Sequence, residues 1–141
     1  ISTFGGCTAG PAAALENIRI IEDENILNNV INRSSQLINN FNLLAEKHEI
    51  IGQVRGLGLF VGIELVINRD TKEPVHESKV GQVVKHCMSQ DFPVIIGATN
   101  RSIPGYNNTI CFSPPLIITS EEIDMITNAV DAALTEVFST N

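Results

Sequence analysis

Val54-Arg55-Gly56-Leu57-Gly58-Leu59-Phe60-Val61-Gly62-Ile63-Glu64-Leu65-Val66 runs through the middle of the 141-residue chain and commits it to a sheet. Apolar, partly β-branched residues alternate here with glycine and single charges, a texture of strand rather than helix. The pattern predicts two strands, roughly 52–56 and 58–67, with Gly56 and Gly58 permitting a bend or bulge. Asn68-Arg69-Asp70-Thr71-Lys72-Glu73-Pro74 follows as a polar turn.

Upstream the texture is helical. Ile1-Ser2-Thr3-Phe4-Gly5-Gly6-Cys7-Thr8-Ala9-Gly10-Pro11 is a glycine-rich, hydroxyl-bearing turn. Pro11 suits a first helical turn, where its missing N–H costs nothing. Residues 12 to about 23 then read as helix, with Leu15, Ile18 and Ile21 or Glu22 on one face. Asp23-Glu24-Asn25 interrupts the apolar pattern. A second helix carries Leu27, Val30, Ile31, Leu37, Ile38, Phe41, Leu44 and Ala45 at three- and four-residue spacing, the strongest periodic signal in the chain. Its other face, Asn28, Asn29, Arg33, Gln36 and Asn40, is polar.

Downstream, a third helix is expected from about Ser78, with Val80, Val83, Val84, Cys87 and Met88 inward. Pro93 to Ile96 reads as a short buried strand, 97–108 as a polar loop containing Arg101, and Thr109 to Phe112 as another strand. Pro114 and Pro115 end it, because neither donates to a ladder. Thr119-Ser120-Glu121-Glu122 matches a capping box. The last helix turns Ile123, Ile126, Val130, Ala133, Leu134 and Val137 inward. The order α-α-β-β-α-β-β-α predicts one α+β unit: a small, mainly antiparallel sheet with helices packed on one face.

Composition bounds the function. Hydrophobic residues make up 43% and aromatics 5%, with no Trp, so an aliphatic core is expected. The formal net charge of −7 argues against nucleic-acid and anionic-membrane partners, which need clustered Lys and Arg. Three cysteines with no CxxC pair suggest a reduced, cytoplasmic setting. No signal peptide or bilayer-length apolar run is visible. His48, His76 and His86 lie far apart with no acidic partner at ligand spacing, so no metal site is expected and each reads as a surface histidine. Gly56-Leu57-Gly58 followed by Gly62 departs from the dinucleotide-binding spacing and leads into a strand where that motif needs a helix. Lys47, Lys72, Lys79 and Lys85 sit on polar faces or turns, without the apolar setting that activates an amine.

Two places remain as candidates. The opening turn offers the hydroxyls of Ser2 and Thr3 and the amides of Gly5 and Gly6 beside a helix start, which suits an anion. The alternative is an ordinary helix lead-in. Arg101 is able to bind a carboxylate bidentately, the alternative being a solvated loop arginine.

The order of motifs carries more. Thr3-Phe4-Gly5-Gly6 before a small-residue helix, Val54-Arg55-Gly56-Leu57-Gly58-Leu59 with Gly62-Ile63-Glu64-Leu65, Arg101-Ser102-Ile103-Pro104, and Phe112-Ser113-Pro114-Pro115-Leu116-Ile117-Ile118-Thr119 with Glu122-Ile123-Asp124 closely resemble the C-terminal part of class III aminotransferases. These are pyridoxal-phosphate enzymes of fold type I. The resemblance covers the whole chain and is nearest to the omega-amino-acid:pyruvate branch. Thr8 stands where many members have proline, a departure that changes the helix entry and not the hydroxyl–glycine turn.

The resemblance implies that residues 1–10 end the seam of the cofactor domain and 11–141 form the C-terminal small domain. It implies that Thr3, with Ser2 preceding it, contacts the phosphate of pyridoxal 5'-phosphate held by the other subunit of a homodimer. It also implies that Arg101 binds the substrate carboxylate in one half-reaction and swings away in the other. Relatives acting on 4-aminobutyrate carry an arginine in the strand before Pro-Pro, where this chain has Ile110, Cys111 and Phe112. Arg55 is taken as structural. The implied activity moves an amino group from an amine or omega-amino acid to a 2-oxo acid such as pyruvate. The Schiff-base lysine and the other cofactor-holding residues precede residue 1 in the family order. The chain is therefore expected to be part of a longer protein, to contain no catalytic residue and to be inactive alone. The rival readings are a stand-alone α+β interaction or small-molecule-binding module, and a 4-aminobutyrate, ornithine or diamine transaminase.

Overall fold

The computed structural model describes residues 3, 5–89, 94–99 and 103–139. Among the described residues, four helices and five strands follow in the order α1 (Ala9–Asp23), α2 (Ile26–Lys47), β1 (Ile51–Leu57), β2 (Phe60–Asn68), β3 (Glu73–Pro74), α3 (Glu77–Cys87), β4 (Gly97–Ala98), β5 (Thr109–Phe112) and α4 (Ser120–Phe138). The sheet order is β1-β2-β5-β4, with β3 paired to the far end of β2, and every pairing among the described residues is antiparallel. The expected α+β architecture is what forms.

β1 and β2 make a tight hairpin. Leu57 pairs with Phe60, leaving Gly58-Leu59 as the turn. Gly58 adopts φ +57°, a left-handed conformation that glycine enters without Cβ strain. It is thus a turn residue, not the start of the second strand. Leu59 folds from the turn into the core. The ladder irregularity falls instead between Ile51 and Gln53, around Gly52. Along β2, Val61, Ile63 and Leu65 are buried, as period-two alternation requires of a sheet covered on one side. Leu37 and Phe41 of α2, Val80 and Val83 of α3, and Ile123 and Val130 of α4 meet that face. The Phe41 and Phe112 rings lie 4.7 Å apart between centroids, tilted by 46°.

Three apolar assignments change. In α2 the buried stripe is Ile26, Ser34, Leu37, Phe41 and Leu44, while Leu27 and Ile31 are 62% and 61% exposed. The helical period holds, but one position further on is about 100° further round, and there the early turns meet no sheet. Met88 lies past the end of α3 and is exposed. Of the expected strand 93–96, Pro93 lies outside the described residues, and Val94 to Ile96 form no strand. Val94 N–H donates to Cys87 O at 2.8 Å, which holds it to the end of α3. Gly97 and Ala98, expected in the loop, instead take ladder positions opposite Cys111 and Ile110. α1 contributes no buried residue, and its Leu15 and Ile18 are exposed.

The polar face of α2 is not a solvated face. Asn29 Nδ2 donates to Leu116 O and Ile118 O, Gln36 Nε2 to Ser120 O and Asp124 Oδ1, and Asn40 Nδ2 to Asp124 Oδ1 and Thr127 Oγ1. This row of amides fastens α2 to the Pro-Pro segment and to the start of α4. The capping box forms as predicted: Glu122 N–H donates to Thr119 Oγ1 at 3.2 Å, and Thr119 N–H donates to Glu122 Oε2 at 2.8 Å.

Candidate functional site

Two regions carry the predicted residues. Thr3 sits exposed in the opening turn, while Ser2 lies outside the described residues. Gly5 and Gly6 are exposed, and Gly6 takes φ +91°, which favours glycine. Thr8 caps α1 by position but makes no side-chain bond to it. The first helical turn therefore presents amides that no Thr8 hydroxyl covers. Among the described residues no hydrogen bond ties Thr3, Gly5 or Gly6 to the sheet, so this turn is not packed into the core.

The second region is the loop between β4 and β5. Arg101 lies outside the described residues, but both limbs beside it are defined. On the near side Thr99 N–H donates to Thr109 O at 2.9 Å. On the far side Tyr106 N–H donates to Ile103 O, and Gly105 takes φ +86°. Asn108 is buried, and its side chain donates to Leu65 O at 2.7 Å while Leu65 N–H donates to Asn108 O. Glu77, at the start of α3, accepts from Gly105 N–H at 2.8 Å and from Asn107 Nδ2 at 2.9 Å. The Asn107 bond, then the Gly105 bond, hold its carboxyl below the usual carboxylate range. Sequence spacing did not single out Glu77; its position at a helix N-terminus, where a carboxylate is favoured, was the available signal.

Beside the loop's base an apolar groove of about 940 Å³ opens between Val94–Gly97, the Ser113–Pro115 segment and the Met125 and Ile126 side of α4. Cys111 lines it, whereas Cys87 is buried with its thiol donating toward Ala129 O, and burial pushes that thiol up to about 11. Such a thiol stays protonated and is a packing group, not a nucleophile.

Arg55 spans neighbouring strands. Its guanidinium donates to Glu64 Oε2 at 2.7 Å, to Gln53 Oε1 at 3.0 Å and to Thr109 Oγ1 at 3.4 Å. The expected structural role is what its contacts describe. His48 departs from the expectation of a surface histidine: its side chain is only 12% exposed and pairs with Asp131, 83 residues away. His76 accepts from Ser78 N–H and caps α3. No cluster of three His, Cys, Asp or Glu converges among the described residues.

A sequence profile described as aminotransferase class-III matches residues 1–134. The chain belongs to the class III aminotransferase family. It is 59% identical, over 99% of its length, to a hypotaurine/taurine–pyruvate aminotransferase of Paracoccus denitrificans, and 49% identical, over 97%, to a taurine–pyruvate aminotransferase of Bilophila wadsworthia. It spans 30% of the length of each. Among solved structures, an aminotransferase of Bacillus anthracis superposes over 96% of this chain and 30% of its own, with TM-score 0.88 and 39% identity. A PLP-bound amine transaminase from an uncultivated Pseudomonas species gives TM-score 0.83 at 26% identity, over 96% of this chain and 29% of its own.

The residues described fit the edge of a pyridoxal phosphate site and not its centre. A hydroxyl, two glycine amides and an open helix start suit a phosphate dianion. An imine-forming lysine needs a desolvated setting, and all four lysines of this class III aminotransferase chain are exposed. Lys47 binds Asp131 and Lys79 donates to Val137 O.

Proposed function

We propose that this chain is the C-terminal small domain of a pyridoxal-phosphate-dependent enzyme that transfers the amino group of taurine, hypotaurine or a related omega-amino acid to pyruvate. The supporting observation is the 59% identity, across 99% of the chain, to a hypotaurine/taurine–pyruvate aminotransferase. In this reading residues 1–10 end the cofactor-domain seam, and 11–141 form the small domain of a cytoplasmic homodimer. Pyridoxal phosphate, when bound, supplies the electron sink that amino transfer needs. Thr3, with Ser2, donates a hydroxyl hydrogen bond to the phosphate held by the partner subunit. Arg101 binds the acidic end of the substrate, a carboxylate or sulfonate, both of which offer paired oxygens to a guanidinium.

The uncharged Ile110, Cys111 and Phe112 favour this reading over a 4-aminobutyrate enzyme, since the half-reactions must then share the arginine in the loop. The 141-residue chain alone does not transaminate, because none of its lysines has the setting for covalent attachment. Adding pyridoxal phosphate to it and finding a visible band abolished by one lysine substitution contradicts that. For the full-length protein the test is a panel of donors with pyruvate and with 2-oxoglutarate. Alanine formed from taurine supports the proposal; glutamate formed only with 2-oxoglutarate overturns it. Arg101→Ala is expected to lose activity with acidic donors more than with simple amines, and equal loss counts against the role of Arg101.

A further inference from the structure

α1 is a 15-residue helix that buries none of its residues. Its polar bonding does not account for it. Thr8 makes no side-chain cap bond, the first turn has no acidic residue and the last has no basic one. The Glu16–Arg19 pair, 3.3 Å apart, is exposed on both sides and adds little. A helix of this length is marginal in water without a packed face.

Such a face is present. At about 100° per residue, Pro11, Ala14, Leu15, Ile18 and Ile21 fall in one stripe about 120° wide, with Glu16, Asn17 and Asp23 outside it. Leu15 is 65% and Ile18 51% exposed. The first turns of α2 leave Leu27 and Ile31 uncovered as well.

Size and superposition indicate what covers α1. The chain spans 30% of the length of each taurine–pyruvate aminotransferase compared above. The Bacillus anthracis aminotransferase superposes over 96% of this chain, a share too large to leave α1 out, and the match is only 30% of its own chain. A helix in the place of α1 is therefore kept in a protein most of whose chain lies outside this domain.

We infer that the Pro11–Ile21 stripe of α1 is a docking face for the part of the same polypeptide that precedes residue 1, and that Leu15 and Ile18 are buried against it. This rests on the reading of the chain as the C-terminal domain of a longer aminotransferase. The surface that the stripe meets is apolar, because the stripe offers no hydrogen-bonding side chain. The same seating carries the opening turn, which immediately precedes α1, toward the cofactor-bearing part of the enzyme.

The test uses the full-length enzyme. Ile18→Cys and Glu16→Cys are alkylated with iodoacetamide, and the modified peptides are followed by mass spectrometry. The thiol at residue 16 faces away from the stripe and should react fast; the one at residue 18 should react at least about tenfold slower. Amide exchange over residues 12–23 in the unsubstituted enzyme needs no variant and should show strong protection. Equal alkylation at the two positions, or fast exchange across 12–23, overturns the inference. A benzophenone amino acid in place of Leu15 then identifies the covering surface. Crosslinks to residues preceding residue 1, in a band of single-subunit mass on a denaturing gel, support the inference. A band of twice that mass means that a second copy covers the stripe, and overturns it. A native protein no longer than these 141 residues removes the underlying reading itself, whereas a longer enzyme with an open α1 removes the docking face alone.

Discussion

His48 Nε2 lies 2.6 Å from Asp131 Oδ1, and Lys47 Nζ lies 2.6 Å from Asp131 Oδ2. The last turn of α2 is thereby fastened to the middle of α4. Partial burial of Asp131 opposes its ionisation, but the His48 hydrogen bond and then the Lys47 bond and charge outweigh it, so its carboxyl sits below the usual value. A carboxyl depressed in the folded state stabilises the fold above its unfolded pKa, near 3.8, and loses that contribution as pH falls through the folded value. The expected outcome is a wild-type stability that declines below about pH 4. Asp131→Asn should lose about 1 kcal/mol at pH 7 and show a flatter acid limb. Urea melts at pH 7, 4 and 3 measure this; parallel curves for the two proteins would contradict it.

Phe41 is fully buried and packs on Phe112 across the interface between α2 and the sheet. Phe41→Ala removes the larger part of that contact and leaves a cavity. The expected loss is about 3–5 kcal/mol in denaturant titration. Leu27→Ala, on the exposed stripe of the same helix, should cost less than about 1 kcal/mol in the chain alone.

Thr119 and Glu122 cap α4 reciprocally. Thr119→Ala should cost about 1 kcal/mol, while Thr119→Ser should retain most of the stability. Thermal melts separate the two variants. A Thr119→Ala protein as stable as wild type would mean that the amide row from α2 alone holds this helix start.

Thr3→Ala in the full-length protein should weaken retention of pyridoxal phosphate by about tenfold, the scale of one charge-assisted hydrogen bond. Equilibrium dialysis of the cofactor checks this, and Thr3→Ser should restore it. Unchanged retention would leave the opening turn as a helix lead-in.

Much of the fold was legible because the signals were local. The helices α2 and α4 showed their period, and Gly56 and Gly58 signalled a bend, though Gly58 sits in the turn and not in the second strand. Legibility failed where an apolar residue had two possible neighbours. Leu27 and Ile31 satisfy a helical period as well as Ile26 and Ser34 do, and only the position of the sheet chooses between them. Val94 to Ile96 have high strand propensity but form no ladder, and Val94 N–H donates instead to Cys87 O. At the candidate site, the family order of motifs pointed to Thr3 and Arg101. Glu77 carried no motif, and its partners are residues 105 and 107.

From the sequence alone came the four helices, the β1–β2 pair, the strand at Thr109, the α+β class, the capping box at Thr119 and Glu122, and the family resemblance, while β3, read as a turn, and β4, read as loop, were missed. These depend on residues within a few positions of one another, or on the linear order of motifs. The tertiary structure decided which stripe of α2 is buried, that Asn29 bonds the segment after Pro115, and that Gln36 and Asn40 bond the start of α4. It also decided that His48 meets Asp131 and that Glu77 holds the loop. Those pairings join groups 28 to 89 residues apart. No local propensity encodes such a pairing, because a side chain's partner exists only after the chain between them has been packed.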